Sequence, residues 1–182
     1  MNSKLKTSDI ALIEKYFAGN QIAQNPETIE KIGKYIDLIN LWSQKMNLVS
    51  AADLKNILER HFLDSLTPFK EISPGDRLLD IGSGAGFPGI PLAIIIRNAQ
   101  IDLIDSVHKK IVFLTEIKKI LMLDNVKIIE SRLENYKPPY RYDLATIRAL
   151  PKWQQMINFA YPLLKDSGKL IYYDKLGTYR IL

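Results

Sequence analysis

Cysteine is absent from all 182 residues. That excludes a disulfide framework and a thiolate metal site, and it gives secretion no support. Histidine occurs only at positions 61 and 108, and no metal centre is expected. Long apolar runs are missing too. The longest, Ile90 to Ile96, falls far short of the roughly 20 residues that span a bilayer. The opening stretch MNSKLKTSDIALIEKYF carries Asp9, Glu14 and Lys15 where a signal peptide needs an unbroken apolar core. Repeats and low-complexity tracts are absent as well. These absences together lead us to expect a soluble cytoplasmic protein with no membrane partner. What is present is ordinary for a globular chain: 47% hydrophobic and 25% charged residues, enough for one domain with a modest appendage. The net charge of +5 suits an anionic partner and equally suits solvated lysines on helix faces.

Apolar spacing in the first third is helical. Ser8 is placed to cap a helix carrying Ile10, Ile13 and Phe17, which ends near Gly19 and Asn20. Asn25-Pro26 then opens a second helix, with Ile29, Ile32, Ile36, Ile39, Trp42 and Met46 as its stripe. A third is expected from Ser50, with Asp53 completing a box and Leu54, Ile57, Leu58, His61 and Phe62 on one face. From Asp76 the rhythm changes. Strands are expected over 77–81, 100–105, 126–130, 142–147 and 169–173. Helices are expected over 88–97, 107–123 and 151–164, with an irregular crossing at 134–139. Alternation of this kind implies an α/β fold with a doubly wound, mostly parallel sheet. Residues 1–70 are read as a helical extension packed on the sheet domain of residues 71–182, the two making one structural unit.

The stretch LLDIGSGAGFPGIP, Leu78 to Pro91, puts glycines directly after the first strand. In such sheets, ligands bind outside the carboxyl ends of the strands. Gly84-Ala-Gly-Phe-Pro-Gly89 matches the dinucleotide string G-x-G-x-x-G, a weak signal when alone. Asp80 ends the strand and would repel a pyrophosphate, whereas it suits a ligand bearing an ammonium group. Pro88 and Pro91 remove amide donors that a phosphate would use. Asp105 ends the next strand, where a carboxylate can accept ribose hydroxyls; it could also simply cap the following helix. The pattern points to S-adenosylmethionine, a nucleoside cofactor without phosphate.

With these residues in view, NLVSAADLKNILERHFLDSL, LLDIGSGAGFPGIPLA, DSVHKKIVFL and YDLATIRAL together closely resemble the RsmG (GidB) family. Members are bacterial class I, Rossmann-like methyltransferases that modify guanosine N7 in 16S ribosomal RNA of the small subunit. The similarity runs from about Ile36 to Tyr173. It implies that Gly82, Gly84 and Gly86 floor the cofactor's amino acid portion with Phe87 beside them. It likewise implies that Asp105 takes the ribose, and that Leu133 and Glu134 line the adenine, where the family usually has Ala-Glu. Arg148 would stand at the mouth of the cofactor and substrate site. The nearer partners considered for Arg148 are Asp143 and Glu134. His61 is expected to face the catalytic cleft, although a buried structural histidine fits its apolar face, with Asp64 and Ser65 fixing that helix over the sheet. His108 is expected at the surface.

The family continues past the fifth strand with a Lys-Gly turn, a helix and an antiparallel strand pair. Here Leu176 separates Lys175 from Gly177, and only Thr178–Leu182 can add a short strand, so the C-terminus reads as shortened. Guanine N7 carries a free lone pair, so no general base is required and positioning is the main task. Replacing Arg148 by alanine is expected to abolish methyl transfer and leave the fold intact. Arg60, Lys109, Lys110, Arg132 and Lys152 are candidate phosphate contacts, and the target base is expected to be flipped out or single-stranded. The partner implied is 16S ribosomal RNA or the small ribosomal subunit, met by a monomer. Competing readings are a class I methyltransferase for a small molecule or protein, and a truncated relative that binds without turnover.

Overall fold

A computed structural model describes residues 5–174 and 177–182; Lys175 and Leu176, on which the expected departure from the family's Lys-Gly turn falls, lie outside the described residues. Helices α1 (Thr7–Asn20), α2 (Pro26–Ser43) and the four-residue α3 (Ala51–Leu54) lead into a π-helical turn, Leu58–Leu63. The sheet elements follow as β1 (Arg77–Ile81), α4 (Gly89–Ile95), β2 (Gln100–Asp105), α5 (His108–Leu121) and β3 (Val126–Glu130). They are completed by β4 (Tyr142–Arg148), α6 (Trp153–Ala160), β5 (Leu164–Tyr173) and β6 (Tyr179–Ile181). The strand order is β3-β2-β1-β4-β5-β6, parallel except for β6, which runs antiparallel to β5. This is the doubly wound α/β sheet expected from the alternating pattern.

Strand residues alternate between two apolar layers because successive side chains leave opposite faces. Leu78, Ile101, Leu103, Leu144 and Ile171 join a layer with α1, α2, α4 and α5. Leu79, Ile81, Ile104, Ala145, Ile147 and Leu170 join a second, smaller layer with α6. The first layer is continuous from Ile13 and Phe17 through Tyr35 and Ile39 to Phe113 and Ile117, all fully buried. The amino-terminal helices therefore close over one face of the sheet.

Several boundaries differ from the expected ones. Ser8 is not the cap of α1: Lys6 takes that position, and its backbone N–H donates to the Asp9 carboxylate at 2.9 Å. Met46 lies beyond α2. Ser50 does cap as expected, accepting from the Asp53 amide at 3.1 Å and donating to its carboxylate at 2.6 Å. The single third helix is instead α3 followed by the π turn. That wide turn presents the carbonyls of Arg60 and His61 to the Arg148 guanidinium, at 2.7 and 3.2 Å. Insertions of this type concentrate at functional sites. Helix α6 is shorter than 151–164 because Ala149 and Lys152 adopt left-handed backbone (φ 52° and 56°) and a 3₁₀ turn over Tyr161–Leu163 ends it. Strand β5 starts five residues early, at Leu164, and 165–168 bulge out where the register jumps from Tyr142↔Leu164 to Leu144↔Lys169.

Candidate cofactor and substrate site

The glycine turn leaves the carboxyl end of β1 and is held on all sides by hydrogen bonds. The amides of Gly82 and Ser83 both donate to the Ile104 carbonyl, at 2.9 and 3.1 Å, and the Gly86 amide donates to the Ser83 carbonyl at 2.6 Å. Tyr35, from α2, donates its hydroxyl to the Ala85 carbonyl at 2.7 Å. Asp105 reaches across from β2: one oxygen accepts from the Gly84 amide at 3.0 Å, the other from the Val107 amide at 2.9 Å. One carboxylate thus ties the glycine turn to the residue that opens α5. Lys110 stands 3.5 Å away.

The three glycines are glycine for different reasons. A side chain at Gly82 would strike Leu150, with Cβ 2.5 Å from Cδ2. One at Gly86 would enter the core against Ile90 and the Tyr35 hydroxyl, at 2.6 and 2.9 Å. At Gly84 the nearest atoms are the Gly82 carbonyl at 3.7 Å and Lys110 Nζ at 3.9 Å, an ordinary contact distance. Of the three, only Gly84 would accept a Cβ without a close contact. Phe87 is buried, its ring packed on Tyr35 and His61 at centroid distances of 5.4 and 5.1 Å.

Asp80 is placed beneath this turn rather than on its open side. Its side chain is buried, accepting from Thr146 Oγ1 at 3.0 Å and from the Gly89 amide at the start of α4 at 3.1 Å. Burial pushes its pKa up to about 6, opposed by the bonds from Thr146, Gly89 and Ser83 and by the charge of Arg148. The folded chain therefore holds this proton above the pH at which the unfolded chain loses it. Stability linked to Asp80 is full below about pH 4 and declines by up to about 3 kcal/mol as pH rises to about 6. Asp53, Glu71 and Asp143, whose pKa values are held low, slope the other way. The difference between wild type and Asp80→Asn in urea titrations at stepped pH isolates the Asp80 contribution. A difference that does not change with pH would refute it.

Arg148 ends β4 and is almost fully committed. Its guanidinium pairs with Asp64 at 2.7 Å, donates to Ser65 Oγ at 2.9 Å, and takes the two carbonyls of the π turn. The partners Asp143 and Glu134 are not used: Asp143 bonds the Arg77 amide at 3.0 Å and Lys165 at 2.7 Å. Asp64 also accepts from the Gly177 amide. Asp64 and Ser65 therefore fix the π turn over the sheet, as expected of them. His61 lies against Phe87, with Nε2 3.7 Å from Asp53 and no hydrogen-bond partner. Burial and then the charge of Arg148 lower its pKa against the pull of Asp53 and Asp64, so it is neutral near pH 7. Beyond Arg148 a cavity of about 280 Å³ opens at the carboxyl ends of β4 and β5, lined by His61, Asp53, Arg60, Tyr172 and Asp174 among others.

The other expected residues scatter. Leu133 is buried in the second layer and Glu134 is exposed beside it, in a 3₁₀ turn after β3. Arg60 borders the cavity, 3.5 Å from Asp53. Lys110 is partly exposed near Gly84, while Lys109, Arg132 and Lys152 are exposed. His108 is at the surface, as expected, 3.0 Å from Glu130. Tyr35 and Leu150 were not foreseen as parts of the site. Tyr35 sits three residues after Ile32 and so on the apolar stripe, a signal that marks burial but not its reach to Ala85.

Sheet order, glycine turn and the acid at the end of β2 define a Rossmann-like methyltransferase fold. Solved structures agree. Coclaurine N-methyltransferase, bound to N-methylheliamine and SAH, superposes with a TM-score of 0.55 over 92% of this chain and 58% of its own, at 16% identity. TYW2 of P. horikoshii, in complex with MeSAdo, does so at 0.56 over 68% of this chain and 44% of its own, at 18% identity. The chain belongs to the family described as rRNA small subunit methyltransferase G, or GidB, whose model matches residues 28–176. Curated relatives named ribosomal RNA small subunit methyltransferase G include one from Hydrogenovibrio crunogenus, 36% identical over 87% of this chain and 73% of its own length. Another, from Desulfitobacterium hafniense, is 39% identical over 78% of this chain and 61% of its own. No described helix is long and apolar enough to cross a membrane.

Proposed function

We propose that the chain transfers a methyl group from S-adenosylmethionine to N7 of a guanosine in small-subunit ribosomal RNA. The observation that carries this reading is the glycine turn at the end of β1, tied to Asp105, with Phe87 of the turn against His61 of the cavity beyond Arg148. Family membership supplies the substrate class. The residues present fit the cofactor. Gly84 is partly exposed, with nothing closer to an added Cβ than 3.7 Å, and Asp105 keeps acceptor capacity beyond the two amides it binds, since a carboxylate offers about four lone-pair sites. When bound, the cofactor supplies an electrophilic methyl group.

The chain's own residues then bind, orient and exclude water. Gly82, Gly84 and Gly86 let the backbone form the floor, Asp105 holds the ribose, and Leu133 and Glu134 border the adenine. Asp80 acts from beneath by fixing the start of α4, and Phe87 carries His61 on its face. Guanine N7 has an unprotonated lone pair, so the neutral His61 needs to remove no proton, and orientation supplies the rate. Arg148 shapes the mouth by holding the π turn. Arg60, Lys109, Lys110, Arg132 and Lys152 meet phosphates in a salt-dependent manner. Residues 1–70 and 71–182 act as one unit, a monomer in the cytoplasm, with the ribosomal RNA or small subunit as partner.

The test is incubation with labelled S-adenosylmethionine and small-subunit RNA from cells lacking this activity, followed by mass mapping of the labelled nucleotide. Label on an exocyclic amine or a ribose, or none at all, would overturn the reading. A second test separates floor from fold. Alanine at Gly84 keeps φ near 56° at a cost of about 1–2 kcal/mol, which lowers Tm by only a few degrees. Its methyl group occupies ligand space, so calorimetry should show cofactor binding weakened at least about tenfold. Unchanged affinity would remove Gly84 from the floor.

A further inference from the structure

The cavity beyond Arg148 contains a carboxylate with spare capacity. Arg148 is saturated by Asp64 and three oxygens, and Asp174 is bonded to Arg180 Nε at 3.1 Å. Asp53 differs. Its Oδ2 accepts from Ser50 at 2.6 Å, but Oδ1 meets only Arg60 at 3.5 Å and His61 Nε2 at 3.7 Å. The side chain is about one third exposed, so it is open to a ligand in the cavity. Tyr172 lines the same cavity, and Trp153 stacks on its ring at 4.0 Å with an interplanar angle of 20°. An aromatic ring and a free acceptor lining one cavity are the elements that hold a planar base: the ring stacks, and the edge is read by hydrogen bonds.

Which base it suits follows from donor and acceptor chemistry. A carboxylate only accepts, and its two oxygens match two adjacent N–H donors. Guanine shows such a pair, N1–H and the exocyclic N2–H₂, on its Watson–Crick edge; adenine places an unprotonated nitrogen there and is repelled. The volume of about 280 Å³ lies just below the roughly 300–1,000 Å³ of drug-sized pockets, suiting one base rather than several. Orientation also follows. From the glycine turn the path runs Phe87, His61 at 5.1 Å, then Asp53 at 3.7 Å. Holding the N1/N2 edge at this far end turns the opposite edge, which carries N7, back towards the turn.

We propose that Asp53 reads the Watson–Crick edge of the target guanine while Tyr172, backed by Trp153, forms the stacking wall. The assignment rests on the guanosine-methylating reading above and adds to it the residues that choose the base. The probes are guanosine and inosine monophosphates, which differ only by the N2 amine, titrated against the cofactor-loaded protein with Trp153 fluorescence as readout. Wild type should prefer the guanosine nucleotide about tenfold, and Asp53→Asn should abolish that preference while leaving cofactor affinity unchanged. Tyr172→Leu should weaken both nucleotides about tenfold or more. Ser50→Ala, which leaves the carboxylate in place, should retain the preference and guards against a purely local structural effect. In methyl transfer to small-subunit RNA, Asp53→Asn should lower kcat/KM at least about fiftyfold. A wild type that binds the guanosine nucleotide selectively yet transfers no methyl would defeat the broader reading and spare this one. No binding of that nucleotide, or an unchanged preference in Asp53→Asn, would overturn the assignment.

Discussion

Replacing Arg148 by alanine is expected to cost about 3–5 kcal/mol of stability, because truncation strands a buried charge. Asp64 has a side chain only 3% exposed and loses its partner at 2.7 Å, while Ser65 Oγ and the Arg60 and His61 carbonyls lose their donor. At roughly 2–4 °C per kcal/mol for a chain of this size, Tm should fall by about 6–20 °C. This revises the expectation that the variant abolishes transfer with the fold intact: the geometry makes Arg148 a structural clamp as well as a wall of the cavity. A double-mutant cycle with Asp64→Ala, read by urea denaturation, is the check. The two substitutions should be non-additive by about 0.5–3 kcal/mol, as for groups in one network. Strict additivity would show that the pair contributes nothing. Arg148→Lys should recover little, since an ammonium lacks the planar fork that spans carboxylate and carbonyls together.

Gly86→Ala is the second large effect. The backbone at Gly86 has φ +93°, and an added Cβ would lie 2.6 Å from Ile90 Cγ1, 2.9 Å from the Tyr35 hydroxyl and 3.2 Å from Leu114 Cδ2. Backbone strain of about 1–3 kcal/mol adds to an overpacking cost of about 1–3 kcal/mol. Ile90, Tyr35 and Leu114 are all fully buried, which leaves them no direction in which to yield. Movement of Tyr35 would also break its bond to Ala85 and loosen the turn. The urea midpoint of Gly86→Ala should therefore drop well below that of Gly84→Ala. Equal midpoints for the two variants would refute the division of labour between these glycines.

Much of the framework was legible because its signals are local. Strands β1, β2 and β3 lie where apolar runs of Ile, Leu and Val were bounded by turn residues. Asp105 ends β2, as the spacing from the glycines suggested, and the structure adds its bond from the Gly84 amide. The start of β5 was not legible: a helix was expected through 164 and a strand only from 169, yet the strand begins at Leu164 and 165–168 bulge from it. The π turn was hidden for a related reason. Its apolar spacing is close to that of an α-helix, and its cause, the guanidinium of Arg148, lies more than eighty residues away.

Asp80 shows where a sequence argument about charge reaches its limit. A carboxylate after an apolar run can face a ligand or lie under a helix start with equal local justification. Burial against Thr146 and Gly89, contributed by two other elements, decides for the second position.

By itself, then, the sequence determined the doubly wound sheet, the turn at its carboxyl edge and the acid beside it, since period, glycine placement and spacing act within a few residues. Tertiary structure alone decided which glycine has room for a side chain, that the Asp53 carboxylate borders the cavity, and that Arg148 pairs with Asp64. Those outcomes depend on volumes and hydrogen-bond partners brought together from distant segments, and no spacing rule encodes them.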